Sequence, residues 1–234
     1  MVERLFGLLY EFIKHLLRKK VSVSFNNLHT IKPVSPIFGV DRGTPVARYY
    51  IEKFLQRNSA LIGGRILEVG DSYYSKRFSG KKAESFEVLH VVPGNKAATI
   101  VGDLTDPTTL PENSMDCFIC TQTLQFIYPT DQAVRSAHRL LKPGGVLLAT
   151  VPSVSRVDRH AGLDGDFWRF TGASCQRLFD GVFGDGNVAV SVYGNVLAAI
   201  GFLTGLARED LTDPELDEQD PYFPVIVGVR ATKA

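Results

Sequence analysis

From Arg65 onward, short runs of β-branched and apolar residues alternate with longer stretches in which apolar residues return every three or four positions. The runs are Arg65 to Val69, Phe86 to Val92, Ala98 to Val101, Cys117 to Cys120, Val146 to Thr150, Val188 to Val192 and Pro224 to Val229. Their length and flanking polar residues predict seven strands. Between them, Asp131 to Leu141 places Ala133, Val134, Ala137, Leu140 and Leu141 on one helical face and is stopped by Pro143, Gly144 and Gly145. Ser174 to Val182 reads as a second such helix. Strands alternating with helices predict an α/β protein, with a mostly parallel sheet covered on both faces.

Three stretches stand outside this alternation: the first 60 or so residues, Ser153 to Thr171, and Tyr193 to Pro221. Long connections beyond the carboxyl ends of parallel strands supply lids and substrate contacts, so specificity is expected there. At the N-terminus, Phe6, Leu9, Tyr10, Ile13, Leu16 and Leu17 follow helical spacing, with Arg18, Lys19 and Lys20 after them. Charged residues interrupt this helix, so it is too polar to span a bilayer, and no transmembrane segment is expected. Its uses are docking on its own domain, docking on a protein partner, or lying on a membrane surface. Further on, Asp41 to Pro45 reads as a tight turn, followed by a helix carrying Tyr49, Tyr50, Phe54 and Leu55. Leu197 to Leu206 is apolar enough to be buried or to make a contact helix, and the acids from Asp210 to Asp220 read as a solvated loop.

Composition narrows the field. In 234 residues there are 26 Lys+Arg against 25 Asp+Glu, so there is no global field to attract a polyanion, and no nucleic-acid partner is expected. Three cysteines without a disulfide pattern point to a reducing, cytoplasmic setting. Cys117 and Cys120 spell CxxC, but within a strand that spacing sends their side chains to opposite faces, as packed thiols rather than a redox or zinc pair. The five histidines are scattered, and no metal site is expected.

Chemistry enters with the order of the strand ends. Gly64 to Ser72 reads GRILEVGDS, a strand running into an acid and a glycine at a turn where backbone N–H groups can face a ligand. There follow VGDLTD ending at Asp106, MDCFICTQTLQ ending at Gln125, and RLLKPGGVLLATVP ending at Pro152. This order resembles the class I S-adenosylmethionine-dependent methyltransferases, of the methyltransferase-domain-11 type, over about Gly64 to Pro152. FGVDRGTPVARYYIE (38–52) and DFWRFT (166–171) are more loosely similar to a bacterial subgroup associated with surface-polysaccharide genes.

The resemblance implies a Rossmann-like three-layer sandwich whose last strand is reversed. It also implies a pocket-covering helical extension over residues 1–60, a methyltransferase-like domain over residues 61–234, and S-adenosylmethionine as cofactor. Carried over by position, Glu68 and Gly70 sit in the turn under the methionine part, with Asp71 and Ser72 as cofactor contacts that can compensate for a missing ribose acid. Asp103 accepts from the adenine amino group with Leu104 beside the ring, while Thr121 and Gln122 lie nearest the reactive methyl.

The sequence departs from the family pattern twice. Gly70-Asp71-Ser72-Tyr73-Tyr74 replaces a glycine-rich run, and His90 or Val92 stands where an acid usually takes both ribose hydroxyls. A neutral histidine offers one acceptor contact in place of two.

The implied reaction is methyl transfer to a small-molecule or saccharide-linked acceptor, with Asp166, His160 and Tyr193 as candidate bases or acceptor contacts beside Gln122. Each also has a plainer place: Asp166 as a turn cap, His160 as a solvated loop residue, Tyr193 as core. Phe167, Trp168 and Phe170 read either as an acceptor wall or as core. Arg42 or Arg48 is expected on the cofactor carboxylate, or else on nearby surface acids. The competing reading is a non-catalytic module of the same fold that partners a carbohydrate-active enzyme. A nicotinamide-dependent oxidoreductase is disfavoured because GxGxxG is absent after the first strand.

Overall fold

Seven strands build one sheet in the order β3-β2-β1-β4-β5-β7-β6. They are β1 (Gly64–Val69), β2 (Ala83–His90), β3 (Ile100–Val101), β4 (Met115–Thr121), β5 (Leu141–Pro152), β6 (Val188–Tyr193) and β7 (Ile226–Thr232). The pairings among β1 to β5 are parallel, whereas β7 runs antiparallel between β5 and β6. This is the mostly parallel sheet with a reversed last strand that the sequence led us to expect. The computed structural model describes residues 31–234, of which Pro33–Ala234 form one compact unit. The helix expected around residues 3–17, with its partner or membrane reading, lies outside the described residues. Among the described residues no helix is long and apolar enough to cross a membrane.

The sheet separates two apolar layers, and period-two alternation decides which residue enters which. On β4, Phe118 and Cys120 enter one layer with Leu67, Val134 and Phe179, while Cys117 and Ile119 enter the other with Ile66, Phe54 and Leu148. Burial pushes all three thiols up to about 12, as expected of packed, inert cysteines. Helix α1 (Val46–Arg57) turns Val46, Tyr50, Ile51, Phe54 and Leu55 inward. It lies close on β7 because Gly228 has no side chain; a Cβ there would sit 2.5 Å from Phe54 Cδ2.

Helices α2 (Tyr73–Phe78), α3 (Thr130–Leu140), α4 (Gly172–Phe183), α5 (Val196–Thr204) and α6 (Asp213–Asp217) complete the layers. The capping box of Thr171 and Ser174 starts α4, and Asn195 caps α5 by accepting from the Ala198 N–H at 3.0 Å.

Two expectations change. The sheet margin at β5 begins at Leu141, before the Pro-Gly-Gly read as a helix stop; Met115 pairs with Leu141, and the Gly144 N–H donates to the Lys233 carbonyl at 2.7 Å. The acids from Asp210 to Asp220 are not merely solvated. Together with Glu209 they strap the segment around α1: Arg42 gives Nε and Nη2 to Asp210 at 3.0 and 2.7 Å, and Thr44 donates its N–H to Glu209 at 2.8 Å. Asp217 takes both Lys53 and the Tyr49 hydroxyl.

Candidate functional site

Two cavities lie at the carboxyl ends of the central strands, where open α/β sheets place their ligands. Phe126 lines both. The first, of about 430 Å³, is walled by Gly70 after β1, His90 at the end of β2, Asp103 and Leu104 after β3, and the segment from Phe126 to Pro129. The second, of about 330 Å³, is walled by Thr121 and Gln122 at the end of β4, Gln125, Tyr74, and the segment after β5 with Ser155, Arg156, Asp158, Asp166 and Arg169. Phe38, Arg48 and Ile51 close its remaining side. Both volumes fall within the ordinary size of small-molecule sites.

At the first cavity, Gly70 holds φ +86°, and a Cβ built on it would meet nothing within 4 Å. The space beside this glycine is therefore open. Asp103 Oδ1 accepts from the Thr105 N–H at 2.7 Å, which fixes the carboxylate at the cavity wall, and Leu104 is buried beside it. His90, not Val92, is the β2 residue lining the cavity. Its Nδ1 lies 2.9 Å from the Val92 carbonyl, which can only accept; the tautomer this contact favours, with the proton on Nδ1, leaves Nε2 as an acceptor.

The rest of the β1 turn serves the protein itself. Buried Glu68 accepts the N–H groups of Tyr74 and Ser75 at 3.0 and 2.7 Å and so holds the start of α2. Burial pushes its carboxyl above the ordinary value, while these hydrogen bonds pull it back. Asp71 accepts from the Tyr73 N–H at 2.8 Å in an Asx turn, and the Ser72 carbonyl accepts from the Ser75 hydroxyl at 3.0 Å. None of these three lines either cavity. In a turn this short, their polar atoms satisfy the helix end.

At the second cavity, Gln122 takes φ +48°, which is strained for a residue with a side chain. Its N–H donates to the Thr150 carbonyl at 2.8 Å, and its own carbonyl accepts Gln125 Nε2 at 2.9 Å. Asp166 lies at this cavity, but its carboxylate is occupied. Arg169 donates to both oxygens at 2.6 and 2.9 Å, and the Asp158 N–H donates to Oδ2 at 2.8 Å. Although burial opposes it, this set holds the Asp166 carboxyl below its ordinary value. So occupied, it is a weak base, and it braces Arg169, which also ties the carbonyls of Ser155 and Arg156.

Tyr193 is only 3% exposed, packs against Tyr50 and Phe54, and lines neither cavity. It is core. His160 is exposed in its loop. Phe170 is core, whereas Phe167 and Trp168 are exposed beside Tyr128. Arg42 is spent on Asp210, leaving Arg48 as the arginine of that segment at the cavity.

The sequence reading missed Gln125, Arg156, Arg169 and Phe38 as site residues. Arg156 sits 3.6 Å over the Phe38 ring, and Gln125 Oε1 and Arg156 Nε are buried without a hydrogen-bond partner. No residue spacing announces such contacts between distant loops.

Residues 65–149 match the methyltransferase domain family. That span contains the whole of β1 to β4 except Gly64, and every strand-end residue assigned above up to Gln125. No curated protein matches the chain. Among solved structures, the [4+2]-cyclase SpnF is similar at 18% identity, over 87% of each chain, with a TM-score of 0.54. A SAM-dependent methyltransferase from Archaeoglobus fulgidus is similar at 10% identity over 80% of this chain and 94% of the other, with a TM-score of 0.53. One from Mesorhizobium loti is similar at 16% identity over 83% and 100%, with a TM-score of 0.51. At these identities the likeness shows a shared fold, the Rossmann-like methyltransferase fold.

Proposed function

We propose that the protein is an S-adenosylmethionine-dependent methyltransferase acting on a small-molecule or saccharide-linked acceptor. The observation that carries this reading is the coincidence of the matched domain with the cavity walls. Gly70, His90, Asp103, Leu104, Thr121 and Gln122 all lie within residues 65–149 and all face one of two adjoining cavities. The residues fit the cofactor: bare space above Gly70, a carboxylate fixed at Asp103, apolar Leu104, and an acceptor nitrogen on His90.

Asp103 accepts from the adenine amino group and Leu104 packs on the ring. His90 Nε2 accepts from one ribose hydroxyl. Thr121 and Gln122 hold polar atoms at the wall of the second cavity, and the segment Phe38 to Ile51 covers it. When bound, S-adenosylmethionine would supply a methyl group already activated by its positively charged sulfur. With Asp166 locked as an ion-paired carboxylate, the chain's contribution is alignment and exclusion of water rather than strong base catalysis.

The non-catalytic reading is favoured by one observation, the histidine in place of a ribose-binding acid. Titration calorimetry with S-adenosylhomocysteine separates the two. Micromolar binding, lost at least tenfold in Asp103→Ala, is the expected result. Absence of binding at millimolar ligand refutes methyl transfer and leaves the fold as a partner module.

A further inference from the structure

The second cavity carries two unmet hydrogen-bonding demands of opposite kind. Arg156 spends Nη1 on the Val157 carbonyl at 2.8 Å and lays its plane against Phe38, but Nε is buried without a partner and Nη2 makes no hydrogen bond among the described residues. Nε and Nη2 form the side-on fork of a guanidinium, the edge that meets two oxygens of a carboxylate or phosphate at once. Arg42 shows the same fork filled, by Asp210 at 3.0 and 2.7 Å. Burial also pushes the Arg156 guanidinium below its ordinary value, a cost that a bound anion offsets.

The second demand is at Gln125, which is 5% exposed. Its Nε2 donates to the Gln122 carbonyl, which fixes the amide orientation and leaves Oε1 as a buried acceptor needing a donor. Three arginines and two aspartates line the cavity, a net charge of +1, and Asp166 is already cancelled by Arg169.

We propose that the methyl acceptor is an anionic molecule. Its carboxylate or phosphate takes the Arg156 fork, and its hydroxyl or amine donates to Gln125 Oε1. The inference rests on the methyl-transfer reading and names the acceptor class for the same site. A carboxylate also exists on the cofactor, but the residues that fit the nucleoside line the first cavity, whereas Arg156 lines the second, on the segment that follows β5.

The test uses the full chain saturated with S-adenosylhomocysteine and follows the Arg156 Nε–H resonance, assigned by its disappearance in Arg156→Lys. Glucuronate, glucose 6-phosphate, acetate and inorganic phosphate are titrated against neutral glucose. The expected result is a saturable shift with at least one anion, none with glucose, and S-adenosylhomocysteine affinity equal within about twofold in wild type and Arg156→Lys. No shift with any anion at millimolar concentration, or an equal shift with glucose, overturns the proposal. A tenfold loss of S-adenosylhomocysteine affinity in Arg156→Lys also overturns it, by assigning the fork to the cofactor carboxylate. If wild type does not bind S-adenosylhomocysteine at all, the methyl-transfer reading fails first and the acceptor assignment falls with it.

Discussion

Replacing Asp166 with asparagine separates a base from a brace. The side chain is 2% exposed and its partner Arg169 26% exposed, so the pair is largely withdrawn from water. Asparagine keeps one acceptor for the Asp158 N–H but faces Arg169 without charge. Removing one partner of a fully buried ion pair costs about 3–5 kcal/mol. Because Arg169 retains some solvent and its three backbone carbonyls, about 2–3 kcal/mol is expected here. For a chain of this size that lowers the melting temperature by roughly 4–12 °C.

The pH dependence has a fixed sign. The folded carboxyl is held below its ordinary value, so the stabilisation is fully present above the unfolded pKa, about 3.9, and is lost as pH falls through the folded value. Thermal unfolding at neutral pH and at successively lower pH, for wild type and Asp166→Asn, measures both. The gap between the two proteins should be widest at neutral pH and close in acid. If the variant melts with wild type while losing turnover, Asp166 is a base after all and the bracing argument is wrong.

Further outcomes are expected elsewhere. Changing His90→Asp restores a charged bidentate partner for the ribose and should tighten S-adenosylhomocysteine binding by one to two decades, from about 1.5–3 kcal/mol; calorimetry showing unchanged or weaker binding denies His90 that position. Gly228→Ala drives a methyl into the Phe54 ring and should cost about 1–3 kcal/mol in urea unfolding, with no loss predicted if α1 can shift freely. With their thiols pushed up to about 12, Cys117, Cys120 and Cys175 should resist iodoacetamide at pH 8 in the folded protein and react once urea is added; mass spectrometry counts the labels.

Period-two runs and the helix before β5 were legible because burial on a central sheet imposes them. The order β1, β4, β5 is buried almost throughout, and its strands were read with only their ends misplaced. The start of β2 was hidden because Glu84, Ser85 and Glu87 lie on a strand flanked by a two-residue edge, where polar side chains are tolerated; Glu87 pairs with Arg65 at 3.0 Å. Gly70, His90, Asp103, Leu104, Thr121 and Gln122 fall at the cavity walls because strand ends fix them.

Glu68, Asp71 and Ser72 serve the start of α2, a use that their pattern in the sequence leaves open. A polar residue in a turn can serve either a ligand or the nearest unsatisfied N–H, and sequence spacing does not say which. Arg156 on Phe38 and Arg42 on Asp210 join segments far apart in the chain, so no local pattern encodes them.

The antiparallel insertion of β7 has a consequence for synthesis. Among the described residues, β6 pairs with β7 and with no other strand, and β5 receives its second neighbour only from β7. During translation, therefore, the apolar edge of β5 from Val146 to Pro152 emerges some 75 residues before Ile226–Thr232 can cover it. At an elongation rate of about 5–20 residues per second, that edge waits several seconds open to pairing with other chains. Whatever protects the nascent chain, its protection must last until β7 pairs along β5 and brings β6 into the sheet.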